Sequence, residues 1–396
     1  MGSLVRIEAV DFFYLAMPQV LDIGDGSQDM VLVRLQVGPY VGWGECEASP
    51  LPTIASLVCP MSHSACKPVR DSVLGQPLDD QADIARIGDA VRANSLDLLQ
   101  ADHALSGIDI AMWDALGKRL DAPVYQLLGD DRAYPKVPYA SQLFGETPEE
   151  TGEKARRTRA DGYRAAKFGW GTFGRGSVEA DAAHLQAARA GLGDDATLLV
   201  DAGTVWRDVD QAAARLDALR ECRVTWLEEP FPAGEFAAHR ALAAIYGDIA
   251  LAGGEGCHNA RQAEHMIDHA ALGFVQIDAG RIGGITPARA VATYAHQRGV
   301  MYVNHSFTSH LALSASLQPY AGAEHDTICE YPVEPKSLAV EVTRDHIAPD
   351  ADGLIHLPAR PGLGIDLDLD AARRYVQDVE ITVGEQTLYR TPELRD

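Results

Sequence analysis

The sequence predicts an α/β protein. Its body is an eight-stranded parallel barrel of β/α repeats, and a smaller α+β domain is assembled from the two ends of the chain. Three observations predict this. Between about 164 and 332 one theme recurs, a short β-branched run that ends in a polar or acidic residue and leads into an Ala-rich amphipathic segment. The residues at the ends of six such runs, Asp201, Glu228, Glu255, Asp278, His305 and Glu330, are 27, 27, 23, 27 and 25 positions apart. That is close to the roughly 30 residues that one unit of an eight-fold barrel occupies. Ahead of the repeats, residues 31–37 (VLVRLQV) alternate as antiparallel strands do.

Taken in order, residues 136–141 (KVPYAS) supply the first barrel strand. The other seven lie at 164–169, 196–203, 224–230, 249–256, 274–280, 300–305 and 327–331, and Lys167, 34 positions before Asp201, ends the second. Helical patterns separate them, such as 209–222 and 287–298. The latter opens on Thr286-Pro287, a capping residue followed by proline at the first helical position. Thr147-Pro148-Glu149-Glu150 reads as a capping box that opens the helix before the second strand. The expected domains are 1–134, with a clear helix at 103–119, the barrel at 135–355, and a segment 356–396 that completes the first domain and offers a strand at 379–383. Residues 17–28 and 49–67 lack periodicity and read as loops, which are often functional when long.

Composition narrows the function classes. A chain of 396 residues that is 46% hydrophobic can bury a large core. Its net charge of −23 opposes binding to nucleic acid or to an anionic membrane, both polyanions. Six scattered cysteines without a C-x-x-C pair argue against a disulfide scaffold or a structural zinc site. With no apolar signal core and no run of 18 apolar residues, the expected location is the cytoplasm.

The strand ends carry the chemistry. Asp201, Glu228 and Glu255 follow buried-strand patterns and should converge at the C-terminal mouth of the barrel, where active sites of this architecture lie. Three carboxylates there repel one another unless a cation holds them, and oxygen ligands of this kind suit Mg²⁺ or Mn²⁺. Singly, each could as well cap a helix or pair with a base; together they favour a metal. Asp278 and His305 end adjacent strands, and a carboxylate beside an imidazole fixes its tautomer and makes a general base near neutral pH. His310 is a competitor, but it falls in the following helix. Lys167 is a candidate to bind a substrate carboxylate or, with its pKa lowered by desolvation, to act as a base; a salt bridge to a neighbouring strand-end carboxylate is the plainer alternative. Glu330, beside three other carboxylates, is a candidate to be protonated and donate a hydrogen bond. Arg281, Asp22 and Asp25 are candidate polar contacts to substrate. A cation, a base dyad and a carboxylate-binding lysine together serve proton abstraction next to a carboxylate.

Several stretches carry a resemblance: GWGEC at 42–46, ALSGIDIAMWDALGK at 104–118, WLEEP at 226–230, IDAGRIGGIT at 277–286 and PGLGID at 361–366. Together they resemble the enolase superfamily, mandelate racemase subgroup, over nearly the whole chain. The resemblance implies a (β/α)7β barrel under an α+β capping domain, and loops of that domain that select the substrate. It also implies Mg²⁺ on Asp201, Glu228 and Glu255, the Asp278–His305 dyad, Glu330 as hydrogen-bonding carboxyl, a sugar-acid substrate and a homo-oligomer. Two positions depart from the pattern. The subgroup often carries K-x-K on the second strand, and here the second lysine is Gly169; where members often have asparagine, Gly203 stands. A racemase needs bases on both faces of its substrate, so racemisation or epimerisation would require Lys167 as the second base. The resemblance therefore points to dehydration of an aldonate or aldarate to a 2-keto-3-deoxy acid, with cycloisomerisation of a lactone or anhydro sugar acid as the alternative. A non-catalytic metal-binding barrel is the remote one.

Overall fold

A computed structural model describes residues 5–395. Three antiparallel strands open the chain, β1 (Ile7–Ala16), β2 (Asp29–Val37) and β3 (Tyr40–Glu47). β2 is the middle strand, and its alternation does not mark a solvated face: Arg34 is buried against Asp11 at 3.0 Å. The helix Ala101–Leu120 lies directly on β3. A Cβ at Gly44 would fall 2.0 Å from the Gly107 carbonyl, so only glycine permits this approach. The C-terminal segment docks on the free edge of β1, where Gln377 N–H donates to the Tyr14 carbonyl (2.8 Å) and the Tyr389 hydroxyl to that of Phe12 (2.5 Å).

The barrel comprises β4 (Val137–Leu143), β5 (Ala165–Gly169), β6 (Thr197–Asp201), β7 (Val224–Glu228), β8 (Ala250–Gly253), β9 (Phe274–Asp278), β10 (Met301–His305) and β11 (Ile328–Pro332). All are parallel, and the sheet runs β10-β9-β8-β7-β6-β5-β4-β11. A side chain bridges the remaining seam between β10 and β11. Asn304 Oδ1 accepts from the Glu330 amide at 2.9 Å and from the Tyr320 hydroxyl at 2.9 Å.

Several elements differ locally from expectation. The 209–222 pattern breaks into two short helices, Val209–Ala213 and Leu216–Glu221. Thr147 does cap Pro148–Ala160, accepting from the Glu150 amide at 3.3 Å. Thr286, by contrast, lies inside the helix Ile285–Arg298, whose cap is Gly284. Its hydroxyl is taken by Trp113 Nε1 (2.9 Å) and its amide by Asp109 (3.0 Å), so tertiary contacts replace the local cap. Half of the 49–67 loop is the helix Pro50–Val58. The strand at 379–383 is half of a hairpin, Glu380–Val383 with Gln386–Arg390. All six cysteines are free, and no described helix is long and apolar enough to cross a membrane.

Candidate active site

Alternation along the barrel strands stacks the site on the core. Residues two apart on a strand share a face. Tyr139, Ala165, Leu199, Trp226, Ala252 and Val303 form one apolar cluster inside the barrel, with Tyr139 edge-on to Trp226 at 5.5 Å. Two residues further along come Ser141, Lys167, Asp201, Glu228 and His305; in the same way Asp278 follows Gln276 and Glu330 follows Ile328. On β8 the turn at Gly254 (φ +129°) intervenes, and Glu255 stands just beyond the strand. Lys167 and Glu330 do not end their strands, which run on to Gly169 and Pro332.

Oxygens of Asp201, Glu228 and Glu255 lie within 4.8 Å of one another, and all three groups are buried. Burial, against the pull of Lys167, pushes the Asp201 carboxyl up to about 6. It pushes Glu228 well above the usual carboxylate range, with neighbouring carboxylates adding to the effect. Buried anionic oxygens without enough countercharge fit a hard divalent cation. The structure shows that these residues could hold one.

On the next two strands, β9 and β10, His305 Nδ1 lies 2.7 Å from Asp278 Oδ2, and Asp278 Oδ1 accepts from the Gly280 amide at 2.6 Å. His305 Nε2 faces Glu255 Oε2 at 3.2 Å. A cavity of about 230 Å³ is lined by Lys167, Asp201, Glu255 and His305 from the barrel and by Asp25, Gly26 and Glu47 from the N-terminal domain.

Family models match both parts of this architecture. The mandelate racemase / muconate lactonizing enzyme N-terminal domain matches residues 14–129, and the enolase C-terminal domain-like unit matches 150–372. The chain belongs to the mandelate racemase / muconate lactonizing enzyme family of the enolase superfamily. It is 29% identical over 360 residues to D-galactarolactone cycloisomerase of Agrobacterium fabrum, covering 87% of this chain and 90% of that one. With L-talarate/galactarate dehydratase of Salmonella typhimurium it shares 30% over 324 residues, 80% of this chain and 75% of the other. The crystal structure of a predicted mandelate racemase from Rhodobacter sphaeroides superposes with a TM-score of 0.94 at 58% identity, covering 98% of this chain and all of that one.

Within this enolase-superfamily site, three residues differ from their expected electrostatics. Lys167 is no depressed amine. Burial alone would lower it, but Glu228 at 2.7 Å and Glu330 at 2.8 Å outweigh that and hold the ammonium charged, well above its ordinary range. Glu330 is ionised, not a protonated donor. Burial pulls it up, but Lys167 and His305 bring it below the usual range, and it accepts from Ser141 Oγ and the Ser306 amide, each at 2.9 Å. His305 is raised to about 10 rather than poised near neutral, because Glu255 and Glu330 overcome the effect of burial. A divalent ion would share the Glu255 charge that now faces Nε2.

Arg281 lines the cavity, yet its guanidinium is engaged by Glu47 at 2.5 Å and Glu255 at 3.5 Å. Asp25 also reaches the cavity and faces Lys336 at 3.4 Å, whereas Asp22 is exposed and outside it. His310 stands apart, stacked on His346 at 4.7 Å and lowered to about 4 by burial. Sequence reasoning missed Ser141, Asn304 and Glu47. Ser141 is the last residue of the predicted first strand, Asn304 directly precedes His305, and Glu47 directly follows GWGEC.

Proposed function

We propose that this chain is an enzyme that removes the proton α to a substrate carboxylate with His305 and expels the β-oxygen on the same face, dehydrating a sugar acid to a 2-keto-3-deoxy acid. The observation that carries this is the asymmetry of the cavity. A carboxylate-paired imidazole stands on one side, and on β5 the position two past Lys167 is Gly169, which has no base and no room for one: a Cβ there would lie 2.8 Å from Asp201 Cβ.

The chain's own residues supply the steps. Asp278 accepts Nδ1–H and so leaves Nε2 as the proton acceptor. Nε2 takes the α-proton, and the C–H electron pair becomes the carbon–carbon bond of an enediolate. As that pair moves on to form the Cα–Cβ double bond, the β-carbon–oxygen bond breaks and the imidazolium returns its proton to the departing hydroxyl, releasing water. The enol then takes a proton at C3 and becomes the keto acid. Lys167 and Arg281 supply positive charge and donors around the substrate carboxylate, and ionised Glu330 holds the Lys167 ammonium in place. Asp201, Glu228 and Glu255 would hold Mg²⁺, or Mn²⁺ in its place. When bound, such an ion stabilises the negative charge that develops on the carboxylate. The barrel, 135–355, carries this chemistry, and residues 1–134 with 356–396 cap it.

A second reading has a specific support. The same base and metal set serves cycloisomerisation, in which the β-leaving group is a ring oxygen, and D-galactarolactone cycloisomerase is among the relatives. Replacing His305 by Asn tests the shared step: loss of turnover on acid sugars and lactones, with unchanged circular dichroism, is the expected result. An active, folded H305N variant would refute it, and a parent inactive across both classes with Mg²⁺ would favour a non-catalytic barrel.

A further inference from the structure

One of the two departures from the family pattern, Gly203, packs against Trp170, and the other, Gly169, directly precedes it in the chain. Trp170 is the first residue past β5 and adopts φ +55°, a left-handed conformation that large side chains seldom take. Its amide donates to the Asp201 carbonyl at 3.3 Å, which ties its backbone to the strand bearing that carboxylate. Two glycines make room for the ring. A Cβ on Gly203 (φ +57°) would lie 2.9 Å from indole Cδ2, and one on Gly24, in the 17–28 loop, 2.8 Å from Cδ2 and Cγ. The indole is therefore packed against both a barrel turn and the capping loop, and it lines the same cavity as Lys167 and His305.

That loop has other fastenings nearby. Asp25 faces Lys336 Nζ at 3.4 Å, and Ser27 Oγ accepts from the Lys336 amide at 2.8 Å. Asp25 also lines the cavity, and Gly26 sits against Phe307, where an added Cβ would lie 3.3 Å from Phe307 Cβ; on the β5 side, Trp170 joins the loop to the cavity wall. An indole has one N–H donor and no acceptor, so it cannot take a proton from a substrate or satisfy a row of hydroxyls pressed against its carbons.

We propose that Trp170, seated on Gly24 and Gly203, is a specificity-determining residue: it closes the β5 side of the cavity against bulky or polar substituents and holds the 17–28 loop over the bound acid sugar. The kinetic part rests on the elimination reading above, while the loop part does not. Hydrogen exchange of the metal-free, ligand-free protein reads the loop. In W170A, and independently in G24A, whose new Cβ displaces the ring, the peptide covering 17–28 is expected to exchange at least tenfold faster while barrel peptides keep parent rates. W170F should retain most of the protection. On a panel of aldonates, aldarates and their lactones, W170A should raise KM for the best parent substrate tenfold or more with kcat within about threefold, and should admit substrates with larger substituents. Unchanged exchange of 17–28 in both variants would overturn the proposal, as would an unchanged KM and substrate profile in W170A. A parent without turnover would instead count against the elimination reading, and the exchange result would still decide the loop contact.

Discussion

His305 Nδ1 lies 2.7 Å from Asp278 Oδ2, and the other Asp278 oxygen is fixed by the Gly280 amide. Asp278 thus accepts Nδ1–H, and once Nε2 gives up its proton the imidazole is held in the one tautomer that can present Nε2 to a substrate. Asp278→Asn offers an amide N–H where Nδ1 needs an acceptor. Turnover is expected to fall by about 10²–10⁴-fold, in line with the contribution of a positioned general base. Circular dichroism should be unchanged, and a D278N variant within threefold of parent kcat would contradict the role.

Lys167 neutralises a buried anionic cluster, so its loss should be felt in stability as well as activity. Lys167→Met leaves Glu228 and Glu330 without their close cation. Breaking a buried pair in this way costs about 3–5 kcal/mol. Urea denaturation of the metal-free protein near neutral pH should show that loss, and an unshifted midpoint would mean the cluster is balanced elsewhere.

The carboxylate trio should bind Mg²⁺ more tightly in the folded state than in the unfolded one. Ligand at 100 times its Kd then adds about 2.7 kcal/mol of stability, which a thermal melt reads as a rise in Tm. Glu228→Gln or Asp201→Asn should abolish the rise. Equal rises in parent and both variants would place the ion elsewhere.

Restoring the missing lysine should not create a racemase. In Gly169→Lys the new Cβ presses on Asp201, 2.8 Å from its Cβ and 3.0 Å from Oδ2. The expected outcome is a weaker Mg²⁺-dependent Tm rise and no inversion of configuration at Cα. Clean inversion with metal binding intact would show that β5 can yield space.

Glu45, which packs on Ser309 of the barrel, makes stability depend on pH. It sits on β3 at the barrel, accepts from Ser309 Oγ and the Ser309 amide, and is pushed up to about 7, chiefly by burial, with Asp278 adding repulsion. A carboxyl raised above its free value of 4.5 holds its proton more tightly in the native state. Its stabilising contribution is therefore complete below pH about 4.5 and lost as pH rises through about 7. Glu45→Gln keeps an acceptor for Ser309 and removes the titration. It should be more stable than the parent by about 1–3 kcal/mol near pH 8, with the gap closing toward pH 5. A gap independent of pH would mean that Glu45 does not titrate in this range.

The barrel and its catalytic layer are legible in sequence because β/α repeats impose a near-constant period, and because a charged residue after a buried run has few places to be except the strand mouth. What resists reading is set by contacts distant in sequence. Thr286 looks like a cap but is claimed by Trp113 and Asp109 of the capping helix. Lys167 and Glu330, 163 positions apart, set each other's charge state, so neither could be judged from its own neighbours. Trp170 gives no local signal either, since the glycines that seat it come from a different domain and a different strand.

Proton NMR in D₂O with Mg²⁺, on aldonates, aldarates and their lactones, tests one-face elimination by His305 most directly. The expected result is a 2-keto-3-deoxy product carrying one deuterium at C3, formed by the parent and absent with H305N. Lactone ring opening without loss of water would keep the base and change the leaving group. Exchange of the α-proton with inversion and no elimination would contradict the one-sided site and require a second base on β5.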